Sequence, residues 1–170
     1  MLHGLWPQPS TEQYCEVPKG TPDHNRKPVS LPPDLQASLK SMMSDSSVMT
    51  NHEWYAHGTC SGIAPPEYFG VAAALADQAG RVLDPVLQQA AGQLVSARAV
   101  RATVDTQLGA GAGKQVGLTC RDAPGVGSIA YEVRFSPLPV AQLRRDVPSL
   151  ADALAGGPTV APGCGQAGVP

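Results

Sequence analysis

The sequence predicts an α+β fold, an antiparallel sheet packed with helices. Three observations carry this. Helical apolar periods recur through residues 34–108. Two strand-like runs then follow, joined by the loop Asp122–Gly127. The helical and strand-like segments are segregated along the chain, with no repeat and no linker between them.

The elements follow in order. Residues 7–33 are rich in Pro, Gly and polar side chains and read as a long surface loop ending at Pro32-Pro33. From Asp34 to about Ser44, Leu35, Leu39 and Met42-Met43 give a helical period. Asn51 to His57 reads as a short helix: Asn51 as N-cap, Glu53 near the positive end of the dipole, Gly58 ending it left-handed. Pro65-Pro66 opens a helix to about Ala79, with Tyr68, Phe69, Ala72, Leu75 and Ala76 on one face. Two further helices are expected, over Pro85–Leu94 and from the cap Ser96 through Leu108. Gly109–Gly113 is a turn. Strands are expected at Gln115–Arg121 and Ser128–Ser136, where alternating Ile129, Tyr131, Val133 and Phe135 form one buried face. The last thirty residues carry one short helix around Leu150–Leu154.

The 170 residues suit one domain, long enough to bury about 70% of the surface that the unfolded chain exposes. Eighteen Gly and 17 Pro make it loop-heavy without the bias of a disordered chain. A net charge of −2 argues against a protein that grips duplex along a basic stripe. Arg26-Lys27 and Arg144-Arg145 read as solvated surface, so a nucleic-acid substrate would be held at one or two nucleotides in a cleft.

Cys15, Cys60, Cys120 and Cys164 contain no C-x-x-C, which argues against a zinc ribbon or a thioredoxin-type site. An even count favours two disulfides and an oxidising compartment, with free buried thiols the alternative. No apolar stretch is long enough to span a membrane. Met1-Leu2 runs straight into the first motif with no signal peptide, so the natural start is expected upstream.

Chemistry concentrates in His3-Gly4-Leu5-Trp6-Pro7 and in Asn51-His52-Glu53-Trp54-Tyr55-Ala56-His57-Gly58-Thr59-Cys60. Histidine titrates near neutrality, so two such segments can supply an acid and a base. On a helix, Glu53 and His57 share a face, and the carboxylate is expected to orient the imidazole and favour its charged form. His52, about 140° round from His57, can line the same cleft wall. A zinc protease needs H-E-x-x-H, but Ala56 occupies the second histidine's place and His57 comes one residue late, so no metal is expected. The plainer reading of His52, Glu53 and His57 is a capped helix with solvated polar groups. Trp54 is expected to point into the core, and Trp6 to stack on a base.

The paired segments resemble the two active-site signatures of the T2 ribonucleases. Cys60-Ser61-Gly62 with Pro66-Glu67-Tyr68-Phe69, and the run Tyr131-Glu132-Val133-Arg134-Phe135, look like the family's bacterial branch. The resemblance implies one α+β domain over residues 1–170 and metal-independent cleavage of single-stranded RNA with low base specificity. The ribose 2′-OH attacks phosphorus, giving a 2′,3′-cyclic phosphate that water opens, and DNA lacks that hydroxyl. It further implies His57 as general base, His3 as general acid, His52 on the phosphate, Glu53 stabilising the transition state and tuning His57, and Trp6 on a base. Cys15 would pair with Cys60, and Cys120 with Cys164. No cofactor, no membrane and a monomeric, secreted or periplasmic protein are expected.

The chain departs from the family pattern in three places. Ala56 stands where a lysine is usual, and losing such a donor costs about 10²–10³ in rate. Gln8 follows the first motif where an acidic residue often reads a base. Family members carry a strand before the first motif, which this chain is expected to lack, and His3, third from the start, frays unless tied down. Ala56 and the expected lack of that strand motivate an alternative, an RNA-binding member with weak or no turnover.

Overall fold

The structure is a computed structural model and describes residues 1–8, 11–18, 20–125, 127–143 and 149–169. Arg144-Arg145 lies outside the described residues. The chain forms two compact units, one of Met1–Ala76 with Pro139–Pro148, the other of Asp77–Leu138 with Ser149–Pro170. Among the described residues no helix is long and apolar enough to cross a membrane.

In the first unit, helix α1 (Pro33–Met42) begins with proline at its first position, where a missing N–H costs nothing. Helix α2 (Ser46–Ala56) starts five residues earlier than Asn51. Its cap is Asp45, whose carboxylate accepts the Val48 N–H and the Ser47 hydroxyl. Asn51 is therefore buried in mid-helix. Its amide accepts the Val29 N–H at 2.9 Å and donates to the Asp23 carbonyl at 3.3 Å, tying the long loop to α2. Glu53 sits in the last turn, not the first. Gly58 does not take a left-handed φ; it opens a 3-10 turn, Gly58–Cys60, and a Cβ there would strike the Trp54 ring.

Leu31, Leu39, Met43, Tyr68, Phe69 and Ala73 form this unit's core, with Leu2, Leu5, Trp54 and Ile63 packed against it. Trp54 meets Tyr68 edge-to-face, and Tyr68 meets Phe69 likewise, the arrangement that aromatic quadrupoles favour. Trp54 thus faces the core as its position predicts.

Helix α3 is one element, Pro65–Gln89, and Pro85 does not break it. Only the bond to the Arg81 carbonyl is lost there. Leu94 lies beyond it, in strand β1 (Leu94–Ser96). In the second unit, α4 (Ala97–Leu108) starts where expected, the Ser96 hydroxyl accepting the Ala99 N–H at 3.0 Å. Strands β2 (Val116–Ala123) and β3 (Gly127–Phe135) pair antiparallel, α5 spans Leu150–Ala155, and β4 is Gln166–Gly168. The sheet order is β1-β4-β3-β2; β1 and β4 pair antiparallel, but β3 and β4 pair parallel, so the sheet is mixed and not wholly antiparallel as expected.

The buried face expected of β3 does not form: Ile129, Val133 and Phe135 are only half-buried, and Tyr131 is exposed. Thr119 pairs with Glu132 but Cys120 pairs with Ala130, so Tyr131 is the extra residue of a bulge. It is 53% exposed, with the Arg121 guanidinium 4.6 Å from its ring centre. Both disulfides are the pairs that the family resemblance implies: Cys15–Cys60 in the first unit and Cys120–Cys164 in the second.

Candidate active site

All the residues singled out for chemistry lie in the first unit. The segment carrying His3 is anchored. The Leu2 N–H donates to the Met42 carbonyl at 2.8 Å. Tyr68 brackets Leu5: its hydroxyl donates to the Leu5 carbonyl at 2.7 Å and accepts the Leu5 N–H at 3.1 Å. Tyr68 is fully buried, and that burial pushes its phenol well above the ordinary range, so it stays a neutral donor. With Leu2 and Leu5 packed on the core, His3 is held rather than frayed.

Gly4 then passes directly over α2. A Cβ at this position would collide with the Glu53 carboxylate, so only glycine lets the two segments approach. The next contact joins them: the Trp6 indole N–H donates to Glu53 Oε2 at 2.9 Å. Glu53 is 2% exposed and Trp6 42% exposed. The Trp6 ring centre lies 5.4 Å from that of His57 and 6.2 Å from that of His3.

His57 ends α2, its N–H bonding the Glu53 carbonyl at 3.1 Å. Its ring is buried, and among the described residues its Nδ1 has no hydrogen-bond partner. Burial first, and the charge of His52 second, lower its pKa below the ordinary 6.5. This corrects the expectation that Glu53 would favour the charged imidazole: the carboxylate is turned to the Trp6 indole, and desolvation dominates. His52 does line the same wall. Its ring stands edge-on to His57, 6.1 Å between centres.

One ligand atom each from His52, Glu53 and His57 lies within 4.8 Å of the others. A zinc ion would draw such atoms to about 2.0–2.2 Å from itself. Glu53 Oε2 already accepts from Trp6, and His52 Nδ1 meets Asp23 Oδ2 at 2.9 Å. Ala56 is 1% exposed, and its carbonyl accepts the Tyr14 N–H at 2.9 Å.

Three contributors were not singled out from the sequence: Asp23, Tyr68 and the role of Gly4. Asp23 lies in the long polar loop, where no periodicity marks it. Tyr68 reads as a core aromatic, which it also is. Gly4 sits inside the motif and was the one open to detection, since a glycine between functional residues signals close backbone approach.

The Ribonuclease T2 family model matches residues 1–149. Ribonuclease MC of Momordica charantia is 29% identical over 128 residues, 72% of this chain and 65% of that protein's length. The chain thus spans about two thirds of that relative. A crystal structure of a ribonuclease MC1 mutant superposes with a TM-score of 0.56 at 26% identity, covering 77% of this chain and 70% of that one. A second mutant, crystallised in complex with 5′-UMP, gives 0.54 at the same identity, covering 77% and 68%. The match spans both histidine segments, and the chain belongs to the ribonuclease T2 family.

Proposed function

We propose that the chain is a metal-independent endoribonuclease that cleaves single-stranded RNA to a 2′,3′-cyclic phosphate and then hydrolyses it. One observation carries the reading. His57 is a buried imidazole biased toward its neutral form, beside a tryptophan that also neighbours His3. A neutral imidazole at neutral pH is ready to accept a proton.

His57 takes the proton of the ribose 2′-OH as that oxygen attacks phosphorus. His3 gives a proton to the departing 5′ oxygen. In hydrolysis the roles reverse: His3 takes a proton from water and His57 returns one to the 2′ oxygen. His52 holds a phosphate oxygen, and Glu53, fixed by Trp6, stabilises the crowded transition state. Trp6, with two fifths of its surface exposed, contacts a base. DNA cannot react, for want of the 2′-OH. A single domain acting as a monomer, secreted or periplasmic, completes the proposal. Its two disulfides fit such an oxidising compartment.

The test is digestion of the dinucleotide ApU with and without EDTA. Cyclic phosphate should form equally in both. Activity abolished by EDTA and restored by zinc would overturn the reading. The single changes His3→Ala and His57→Ala should each remove nearly all turnover.

A further inference from the structure

We propose that Asp23 is a positioning residue for His52, its carboxylate accepting the imidazole Nδ1–H and fixing the ring for the reaction. The proposal rests on the ribonuclease reading above. Asp23 Oδ2 lies 2.9 Å from His52 Nδ1, across 29 residues of sequence. The His52 side chain is 45% exposed, so packing alone leaves its ring free to turn. The Asp23 side chain, only 15% exposed, is not free to turn. The Tyr14 hydroxyl donates to Oδ2 at 3.0 Å and the Arg26 Nε–H to Oδ1 at 3.2 Å. Arg26 is itself held by the Pro18 carbonyl at 3.0 Å and lies over the Tyr55 ring. Asn51, one residue before His52, donates to the Asp23 backbone carbonyl. An acid needing only to pin the loop does not require its carboxylate aimed at an imidazole.

The chemistry follows from the donor inventory. Burial pushes the Asp23 carboxyl up, but hydrogen bonds from His52, Tyr14 and Arg26 outweigh it and hold the group below the ordinary carboxylate range. An ionised carboxylate only accepts, so the proton between the two groups belongs to His52 Nδ1. Nε2 is left as the atom that meets substrate, and it donates to a phosphate oxygen when the ring carries its second proton there. A carboxylate behind a histidine sets tautomer and ring direction in this way, and removing such partners costs about 10- to 100-fold in metal-site enzymes.

The experiment is a double-mutant cycle on ApU cyclisation with the full chain. Asp23→Ala should lower kcat about 10- to 100-fold with little change in KM. In a His52→Ala background the same change should add nothing, since a positioning residue acts only through its partner. Asp23→Asn, whose amide oxygen still accepts the Nδ1–H, should recover part of kcat. Multiplying losses in the double variant would make Asp23 a plain structural anchor and overturn the proposal.

Ring ¹⁵N spectra at about pH 8 give a readout independent of turnover. The wild-type His52 should be the Nδ1–H tautomer, changing to Nε2–H in Asp23→Ala. A wild-type His52 already in the Nε2–H form would overturn the proposal. The wild-type spectrum needs no variant, so a failure of Asp23→Ala to fold leaves this test intact. If the wild type does not cleave ApU, the ribonuclease reading fails by itself, and the spectra still decide what Asp23 does.

Discussion

The Trp6 indole N–H donates to Glu53 Oε2 at 2.9 Å, so two segments 47 residues apart meet through one charge-assisted hydrogen bond. The carboxylate is almost wholly buried, where each donor counts. Trp6→Phe keeps an aromatic ring but removes the donor together with part of the indole's bulk. We expect a loss of about 1–3 kcal/mol in stability and at least about tenfold in kcat/KM. Urea titration and ApU turnover check the two. Unchanged turnover would mean that the bond does not hold Glu53 for catalysis.

Gly4 offers a complementary test from the backbone side. A methyl group at this position meets the Glu53 carboxylate. Gly4→Ala must therefore push Glu53 aside or lift the His3 segment off α2. Either movement misplaces groups that the proposed reaction uses, and a shift of about 1 Å can cost roughly 100-fold. The Gly20→Ala change, where among the described residues no atom beyond its chain neighbours stands within 4 Å of the added Cβ but φ is +91°, is the control for backbone strain alone. It should cost stability and leave kcat near the wild-type value.

The pH dependence follows from His57. Its folded pKa lies below its unfolded value of 6.5, through burial first and the His52 charge second. Between the folded and unfolded values the unfolded chain binds the extra proton. Stability from this group is therefore full above about pH 6.5 and is lost as pH falls through the folded value. His57→Phe, which also removes the Nδ1 that has no partner among the described residues, should flatten this part of the curve. Asp23 contributes at lower pH, and subtracting the variant's curve isolates His57. Identical slopes for both proteins between about pH 5 and 7 would refute the assignment. In kcat/KM the acid limb should fall below 6.5 and move upward in His52→Ala, whose charge no longer opposes protonation of His57.

How far the sequence could be read depended on the range of the forces involved. Ser96, whose hydroxyl caps α4 within three residues, was legible because capping is local. The cap of α2 was not. Asn51 and Asp45 are both good caps, and only the tertiary bonds of Asn51 to Val29 and Asp23 decide that it belongs inside the helix. Strands β1 and β4, three residues each, are shorter than any period can mark, and they exist because they pair with each other. Tyr131 kept the alternating pattern but lost its place to a bulge set by the register of β2. In the site, His3, Trp6, His52, Glu53 and His57 were legible as motif residues. Asp23 was not, because its significance lies wholly in a contact across 29 residues.

The two disulfides should separate stability from function. Their sequence separations are 45 and 44 residues, so loop-closure entropy assigns each about 4 kcal/mol. Cys15 follows Tyr14, which bonds both Asp23 and the Ala56 carbonyl, while Cys60 follows His57 by three residues. Replacing Cys15 and Cys60 by serine should lower stability and also kcat, measured where the variant is still folded. Replacing Cys120 and Cys164, which join β2 to the C-terminal segment of the second unit, should cost similar stability and leave kcat near wild type. Equal losses of kcat in the two variants would show that the first bridge has no special part in holding the site.

Ala56 supplies the last test, because it is where the second motif departs from its family. The position is three residues after Glu53 and four after His52 on α2, so a lysine there projects beside both. Its ammonium would neutralise charge growing on the phosphate oxygens, a contribution of the size seen when such donors are removed, about 10²–10³. Against this stands the burial of Ala56, 1% exposed in the last turn. A longer side chain must displace its neighbours, at roughly 1–3 kcal/mol for overpacking. We therefore expect Ala56→Lys to melt at lower temperature yet turn over ApU at least about tenfold faster. A variant that folds, binds a nucleotide as the wild type does and gains no rate would mean that the existing groups already compensate the transition-state charge.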